Sequence, residues 1–383
     1  MSKTNCELDL NPLFLTALDT MENTGDYLFI TGRACTGKSK LLEYFRSQTN
    51  KQLVVLAPTG ISSINVDGQT IHSFFKFRPE TTIDTIKSHI IGKQQSKIYQ
   101  QLEMMIIDEI SMVRADILDC INWVLCCSRQ NLIQCFGGIQ MVFIGDLYQL
   151  PPVVKRQERK IFSSYYDTPY FFSAKICKNF KLKIIELTKV YRQKDLKYIE
   201  LLNSVRNNSI TQEELEQINQ RYLPTFIPDN NDFYIYLAAT NAQVTAINEE
   251  ELSKINNQCY RFMAKIAGDF GREYYPTTTL LEVKIGAQVM MIKNDFKGNW
   301  VNGSIGKIIN IIKNKKTQAE VIVVKLDDGV KCYVEPYTWE INKLVLENNQ
   351  LNSVAIGKFT QYPLILAWAV TIHKSQGKLL IKL

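Results

Sequence analysis

An octapeptide near the start of the chain constrains the fold more than any other segment. It reads Gly32-Arg33-Ala34-Cys35-Thr36-Gly37-Lys38-Ser39 and fits the pattern G-x-x-x-x-G-K-[S/T]. The apolar run 27–31 precedes it and a helical pattern over 39–48 follows it. The backbone N–H groups of such a loop, with the amino end of the next helix, surround a β-phosphate. Lys38 would reach the β- and γ-phosphate oxygens, and Ser39 would coordinate Mg²⁺. All eight residues are therefore expected to bind a nucleotide.

Short apolar runs alternate with helical patterns through the first half of the chain. The runs cover 27–31, 52–57, 104–107 and 140–144. Continuous apolar runs of this length indicate parallel strands that are buried on both faces. The α/β fold class follows, with a small helical insertion at about 76–100. After residue 180 the runs 183–187 and 233–238, with helical patterns over 194–206 and 243–256, look like a second α/β unit.

Residues 281–361 have a different character. Their apolar runs are rich in β-branched residues, and Asp327-Asp328-Gly329 is a good hairpin turn. The runs 283–292, 306–312, 319–326 and 330–335 predict a small, mostly β insert. The run 364–370 then resumes the pattern of a buried strand.

Composition excludes several protein classes. The chain has 383 residues, of which 45% are hydrophobic and 22% charged, with a formal net charge of +7. These values argue against a disordered, collagen-like or coiled-coil protein. No apolar run approaches the roughly 20 residues that span a bilayer, and the first ten residues do not resemble a secretory signal. Nine Cys without C-x-x-C spacing and three His favour reduced thiols over a disulfide framework or a zinc site.

Two further segments complete a nucleotide-hydrolysis pattern. The apolar run 104–107 ends in Asp108-Glu109. Asp108 would hold Mg²⁺, directly or through water, and Glu109 would polarise the attacking water. Gly145-Asp146 follows the next run, and Gln149 beside it could sense the γ-phosphate. For this last segment a proline-terminated surface turn is the plainer interpretation.

These segments, in this order, resemble the Pif1-like family of superfamily 1 (SF1B) DNA helicases. The similarity extends from about Asn11 to Gly377 through long motifs. They are 57–60, 70–75, 107–116, 136–153, Tyr191-Arg192-Gln193, 286–290, 300–306 and 368–377. A small-molecule kinase with the same phosphate loop would not account for 140–153 or 368–377.

The resemblance implies two RecA-like P-loop NTPase domains with a small SH3-like β insert in the second. The first would cover 1–188, with its own insert at about 76–100. The second would cover 189–280 and 362–383, and the β insert 281–361. ATP would bind between the domains, Gln149 would couple the γ-phosphate to their closure, and Arg192 would reach the nucleotide from the second domain.

The resemblance also implies a function and partners. The family translocates 5′ to 3′ on single-stranded DNA and unwinds duplex in repair, recombination or replication, using ATP and Mg²⁺. The partners would be single-stranded DNA and single-strand/duplex junctions, not a membrane, with a monomer favoured. Such a protein would be cytoplasmic and nucleoid-associated in a prokaryote, and nuclear or mitochondrial otherwise. The residues expected to track the DNA are Pro58, Thr59, His72, Phe74, Asn241, Thr371, His373 and Lys374. For Phe74 simple core packing is an equal alternative.

The carboxyl end departs from the family pattern. Family members continue into a last strand and a motif whose arginine reaches the γ-phosphate, whereas the last arginine here is Arg272. We therefore expect the second RecA-like domain to be incomplete in this chain. The alternative to a working motor is a truncated remnant that binds ATP and single-stranded DNA with little motor activity, because an arginine finger contributes about 10³–10⁵ in rate.

Overall fold

The structure is a computed structural model. It describes residues 11–33, 36–78, 81–87, 93–154, 156, 158–189, 196–226, 232–295, 297–313, 320–347 and 350–375. The chain divides into two compact units. Unit 1 contains Met1–Ser209 and Ile341–Ala355, and unit 2 contains Ile210–Glu340 and Ile356–Leu383. The boundaries of the RecA-like domains and of the β insert stay a prediction.

Unit 1 is built on a six-stranded sheet in which every strand pair is parallel. The strand order is β3-β2-β4-β5-β1-β6. The strands are β1 Tyr27–Gly32, β2 Leu53–Ala57, β3 Gln69–Thr70, β4 Met104–Ile107, β5 Gln140–Ile144 and β6 Leu182–Leu187. Phe29 of β1 lies between Phe143 of β5 and Ile184 of β6 in register. The α/β class predicted from the apolar runs is confirmed.

Helices cover both faces of this sheet. They are α1 Pro12–Asn23, α2 Lys38–Gln48, α3 Gly60–Asn65, α4 Ile71–Phe75, α5 Ile83–Lys87, α6 Lys93–Gln101, α7 Ala115–Ser128 and α8 Arg159–Tyr165. A further helix, α9 Leu196–Arg206, also belongs to unit 1. Successive strand residues point to opposite faces. Leu28 and Ile30 accordingly pack with α1 and α2, while Phe29 packs into a larger cluster with α4 to α8. Each such side chain stabilises the fold by about 1.5–3 kcal/mol when fully buried.

The run 183–187 belongs to unit 1. Its apolar pattern alone suggests a second α/β unit, whereas the domain bounds implied by the family resemblance, 1–188, place it in the first. β6 pairs in parallel with β1 over Tyr27–Gly32 and forms one edge of the six-stranded sheet. A parallel strand has the same local apolar pattern in either unit. The pattern therefore cannot assign the strand to a sheet, and only the pairing with β1 does so.

Unit 2 combines a short parallel pair with antiparallel sheets. Its helices are α10 Gln212–Asn219, α11 Asn241–Ser253 and α12 Ile372–Ser375. Its strands are β7 Tyr236–Ala238, β8 Cys259–Met263, β9 Lys265–Gly268, β10 Leu280–Lys284, β11 Gln288–Met291, β12 Ile305–Lys313, β13 Glu320–Leu326, β14 Lys331–Val334, β17 Leu364–Leu366 and β18 Ala369–Thr371. Two long strands, β15 Tyr337–Glu347 and β16 Gln350–Gln361, are divided between the units, because Ile341–Ala355 belongs to unit 1.

The predicted β character after residue 281 is confirmed, although two predicted strands are each divided. An antiparallel sheet has the order β14-β13-β12-β11-β17. The run 283–292 breaks into β10 and β11 at Gly286, whose φ of 97° suits a turn. The run 364–370 divides into β17, in that sheet, and β18, which pairs in parallel with β7.

No helix in the described part of the chain is long and apolar enough to cross a membrane.

Candidate nucleotide and nucleic-acid site

The predicted site residues of unit 1 follow the strands of one parallel sheet. The octapeptide follows β1, Pro58 and Thr59 follow β2, Asp108 and Glu109 follow β4, and Asp146 and Gln149 follow β5. Because all six strands run in the same direction, their carboxyl ends share one edge of the sheet. Open parallel sheets bind ligands at this edge. The topology therefore brings separate sequence segments to one place.

The phosphate loop depends on two glycines. Gly32 ends β1 with a φ of 149°, and a Cβ there would lie 2.5 Å from the Leu187 carbonyl oxygen and 2.7 Å from Thr36 Oγ1. Gly37 precedes α2 in the left-handed region with a φ of 92°. A side chain would strain the loop at either position. Ala34 and Cys35 of the octapeptide lie outside the described residues.

Lys38 lies at the start of α2 and turns back towards the loop. Its Nζ donates to the carbonyl oxygens of Gly32 at 2.7 Å and of Arg33 at 2.9 Å. Burial lowers the pKa of Lys38, while the carboxylates of Asp146, Glu109 and Asp108 act in the opposite direction. The lysine therefore lies in the field of three acidic side chains from the ends of β4 and β5.

Asp108 and Glu109 are half-buried carboxylates that follow β4. Burial and, to a smaller extent, the neighbouring Glu109 raise the pKa of Asp108 to about 7. Burial also raises the pKa of Glu109, which Lys38 opposes. A buried carboxylate gains from a nearby cation. The hydroxyl of Ser39, the second residue of α2, and the Asp108 carboxylate are hard oxygen donors of the kind that Mg²⁺ prefers.

The oxygen donors of Ser39 and Asp108 suit a magnesium ion that is shared with a nucleotide, and not a metal ion that is held by protein ligands alone. Among the residues that the structure describes, no group of three or more His, Cys, Asp and Glu could hold a metal ion. Mg²⁺ commonly takes one or two protein ligands and completes its shell with water and nucleotide phosphates. The pair Ser39 and Asp108 suits that mode of binding.

Asp146 is the centre of a buried polar cluster. Its side chain is 2% exposed, and its Oδ2 accepts hydrogen bonds from Arg206 Nη1 at 2.7 Å and Gln149 Nε2 at 3.1 Å. Its Oδ1 accepts from the Tyr148 backbone N–H at 3.1 Å. The Arg206 guanidinium carbon lies 4.2 Å from the centre of the Tyr148 ring. Segment 145–149 is therefore tied to the end of α9 and is no loosely held surface turn.

Arg206 was not predicted from the sequence. It is the last residue of an ordinary amphipathic helical pattern, where a basic residue is common. Nothing in the local pattern distinguishes it from the other lysines and arginines of this region. Only its contact with Asp146, 60 positions earlier in the chain, separates it from them.

The predicted DNA-tracking residues of unit 1 have different environments. Thr59 is exposed and caps α3, accepting the Ser62 N–H at 3.2 Å, and Pro58 beside it is half-buried. His72 is half-buried in α4. Burial lowers the pKa of His72, and the Arg114 charge lowers it further.

Phe74 is a buried residue of α4. Its side chain is 3% exposed and packs edge-to-face against Phe75 and Tyr99, with ring centroids 5.1 Å and 5.4 Å away. A base would need a free face of the ring for stacking. The helix α4 points Phe74 into the core, which favours the alternative of core packing over stacking on DNA.

Two predicted residues of unit 2 end neighbouring parallel strands. Asn241 is exposed and begins α11, just after β7, and Thr371 ends β18. The two strands pair with Ala238 opposite Thr371, which places both positions at one edge. Thr371 itself is buried, with 6% exposed. Arg192 and the side chains of His373 and Lys374 lie outside the described residues.

A model of the PIF1-like helicase family matches residues 13–216, more than half of the chain. The chain belongs to this family. It is 29% identical to the ATP-dependent DNA helicase Pif1 of Campylobacter jejuni over 382 aligned residues, which cover 94% of this chain and 82% of that protein.

Solved structures of PIF1-like helicases agree with this assignment. The crystal structure of Bacteroides sp Pif1 in complex with ADP-AlF4 has a TM-score of 0.88 and 34% identity, covering 97% of this chain and 84% of that one. Bacteroides Pif1 bound to ssDNA covers the same shares, with a TM-score of 0.61 and 34% identity. The chain thus spans about four fifths of the length of these three relatives.

Proposed function

We propose that this chain is an ATP-dependent DNA helicase that translocates 5′ to 3′ on single-stranded DNA and unwinds duplex. The observation that carries the proposal is the edge of the parallel sheet in unit 1. At this edge lie the phosphate loop, the acidic pair after β4 and the Asp146 cluster after β5. All three are within the part of the chain that matches the family model. The proposal includes a role in DNA repair, recombination or replication.

ATP hydrolysis follows from the chemistry of these groups. Lys38 exchanges its bonds to the loop carbonyls for the β- and γ-phosphate oxygens, which carry more negative charge. Ser39 and Asp108 would hold Mg²⁺, which would supply positive charge beside the phosphates. Glu109 orients the attacking water and accepts its proton, since a carboxylate with a raised pKa is a stronger base than an ordinary exposed one.

DNA binding is supported by the polar residues at the ends of the strands and by charge. Thr59 and Asn241 are exposed at carboxyl ends of parallel strands in units 1 and 2 respectively. Residues 155–197 carry 12 Lys or Arg and 4 acidic residues. Such a basic segment attracts a nucleic acid backbone in a salt-dependent manner. Single-stranded DNA and single-strand/duplex junctions are the proposed partners.

The test is DNA-stimulated ATP hydrolysis by the purified chain, followed by unwinding of a duplex with a 5′ overhang. Turnover that rises with single-stranded DNA and is lost in Lys38→Ala and Glu109→Gln supports the motor. Glu109→Gln should lower kcat by about 10²–10⁴ while nucleotide affinity is kept. Binding of nucleotide and DNA without turnover would instead identify a non-motor ATP- and DNA-binding protein.

A further inference from the structure

Asp146 needs a counter-charge in its buried position. The carboxylate is 2% exposed, and taking an unpaired carboxylate out of water is strongly unfavourable. Arg206 supplies the charge at 2.7 Å, and its own side chain is only 15% exposed. The Tyr148 ring lies against the guanidinium, so the arginine is held between a carboxylate and an aromatic face.

Gln149 depends on the same carboxylate for its orientation. Its Nε2 donates to the Oδ2 atom of Asp146 that also accepts from Arg206, and its backbone N–H donates to the Asp146 carbonyl at 3.0 Å. Rotation of the carboxylate would change both hydrogen bonds that its Oδ2 accepts. The position of Asp146 therefore contributes to the orientation of the Gln149 amide.

We infer that Arg206 is a positioning residue for recognition of the γ-phosphate, acting through Asp146 on Gln149. The inference rests on the proposed function, because it assigns Gln149 to the terminal phosphate of ATP. It predicts an effect on the triphosphate that a purely structural ion pair would not have. ADP lacks the γ-phosphate and should bind almost independently of Arg206.

The test compares the affinities for ADP and for a slowly hydrolysed ATP analogue, both with Mg²⁺, and so needs no turnover. The variant Arg206→Gln removes the charge but can still donate to Asp146. We expect it to lower the affinity for the analogue about tenfold or more, which is within the usual range of coupling free energies. The affinity for ADP should fall by less than about twofold. Arg206→Lys should recover most of the preference for the triphosphate. Arg261→Ala, which removes an exposed ion pair with Glu282, is the matched control and should leave both affinities unchanged.

A double variant tests the route through Gln149. The affinity of the double variant Gln149→Ala/Arg206→Gln for the analogue should lie within about twofold of that of Gln149→Ala alone. The reason is that the two residues act in series. Equal weakening of ADP and the analogue in Arg206→Gln, no recovery in Arg206→Lys, or effects that multiply in the double variant would each overturn the inference. A wild-type chain that binds both nucleotides without hydrolysing ATP would refute the proposed function. The comparison of ADP and analogue affinities would still test the role of Arg206, because it needs no turnover.

Discussion

The ammonium of Lys38 lies 2.7 Å from the carbonyl oxygen of Gly32, the residue that opens its own loop. A second bond, to the Arg33 carbonyl at 2.9 Å, completes this arrangement. The loop carbonyls accept hydrogen bonds from a half-buried cation whose pKa is lowered by burial. The backbone of Gly32 therefore both shapes the loop and holds the lysine.

The first prediction concerns Gly32. A Cβ at this position would meet the Leu187 carbonyl oxygen at 2.5 Å, where φ is 149°. Gly32→Ala should lower the free energy of unfolding by about 2 kcal/mol, from strain at this φ and displacement of the neighbouring strand. Nucleotide affinity should fall as well, because the loop and Lys38 shift together. Urea unfolding and nucleotide titration check both effects.

Gly25→Ala is the matched control, since a Cβ there has no neighbour within 4 Å. It should leave stability and nucleotide affinity close to wild type. Equal behaviour of the two variants would show that the close approach to Leu187 does not restrain the loop.

The second prediction concerns Asp119, a buried carboxylate in α7. It accepts hydrogen bonds from the Tyr166 hydroxyl at 2.9 Å and from the backbone N–H groups of Lys175 and Ile176 at 3.0 Å. Asp119→Ala leaves three donors without this partner, of which the Tyr166 hydroxyl and the Ile176 N–H are buried, and should cost about 3 kcal/mol in unfolding free energy. Asp19→Ala, in the exposed part of α1, should cost well under 1 kcal/mol, as is usual for surface positions. A small loss for Asp119→Ala would mean that these donors find other partners.

The third prediction separates core packing from DNA stacking at Phe74. Phe74→Leu keeps an apolar side chain in the core and should leave the affinity for single-stranded DNA within about twofold, since it removes no stacking contact. Had the ring stacked on a base, its loss would cost about 1–3 kcal/mol of binding. Phe74→Ala should instead lower the free energy of unfolding by about 3–5 kcal/mol. Fluorescence anisotropy of labelled DNA, with urea unfolding of both variants, distinguishes the two roles.

The fourth prediction concerns pH and His72. Burial lowers the pKa of this histidine in the folded chain, and the Arg114 charge lowers it further. Below an unfolded-state pKa of about 6.5, the unfolded chain binds a proton that the folded chain resists. The neutral His72 of the folded chain therefore costs no stability above about pH 6.5. The free energy of unfolding falls as the pH drops below that value.

His72→Gln removes this titration. Between pH 7.5 and pH 5.5 the free energy of unfolding should therefore fall more in the wild type than in the variant. Urea midpoints at the two pH values measure it. An equal or larger loss in the variant would rule out His72 as a source of acid sensitivity.

Much of unit 1 could be predicted from the sequence because its signals are local. The strands 104–107 and 140–144 have the predicted bounds, and α2 begins within one residue of the prediction. Buried parallel strands need unbroken apolar runs, and the phosphate loop needs its glycines at fixed spacing. Such requirements are visible in a few consecutive residues. The sequence alone was therefore enough to locate the loop, Asp108 and Glu109.

Contacts between distant segments could not be predicted in this way. The pattern of 182–187 is that of any parallel strand, and only pairing with β1 places it in the first sheet. Two neighbouring phenylalanines on a short helix could each face the core or the solvent, and packing against Tyr99 directs Phe74 inwards.

The sequence by itself determined the family, the phosphate loop and the order of the strands along the chain, since each rests on residues that are close together in the chain. Only the tertiary structure decided that Arg206 pairs with Asp146. The energy of that pair depends on burial and on a distance of 2.7 Å between segments that are 60 residues apart. An arginine at the end of a helix is ordinary in sequence, and it becomes specific only when the folded chain buries a carboxylate against it.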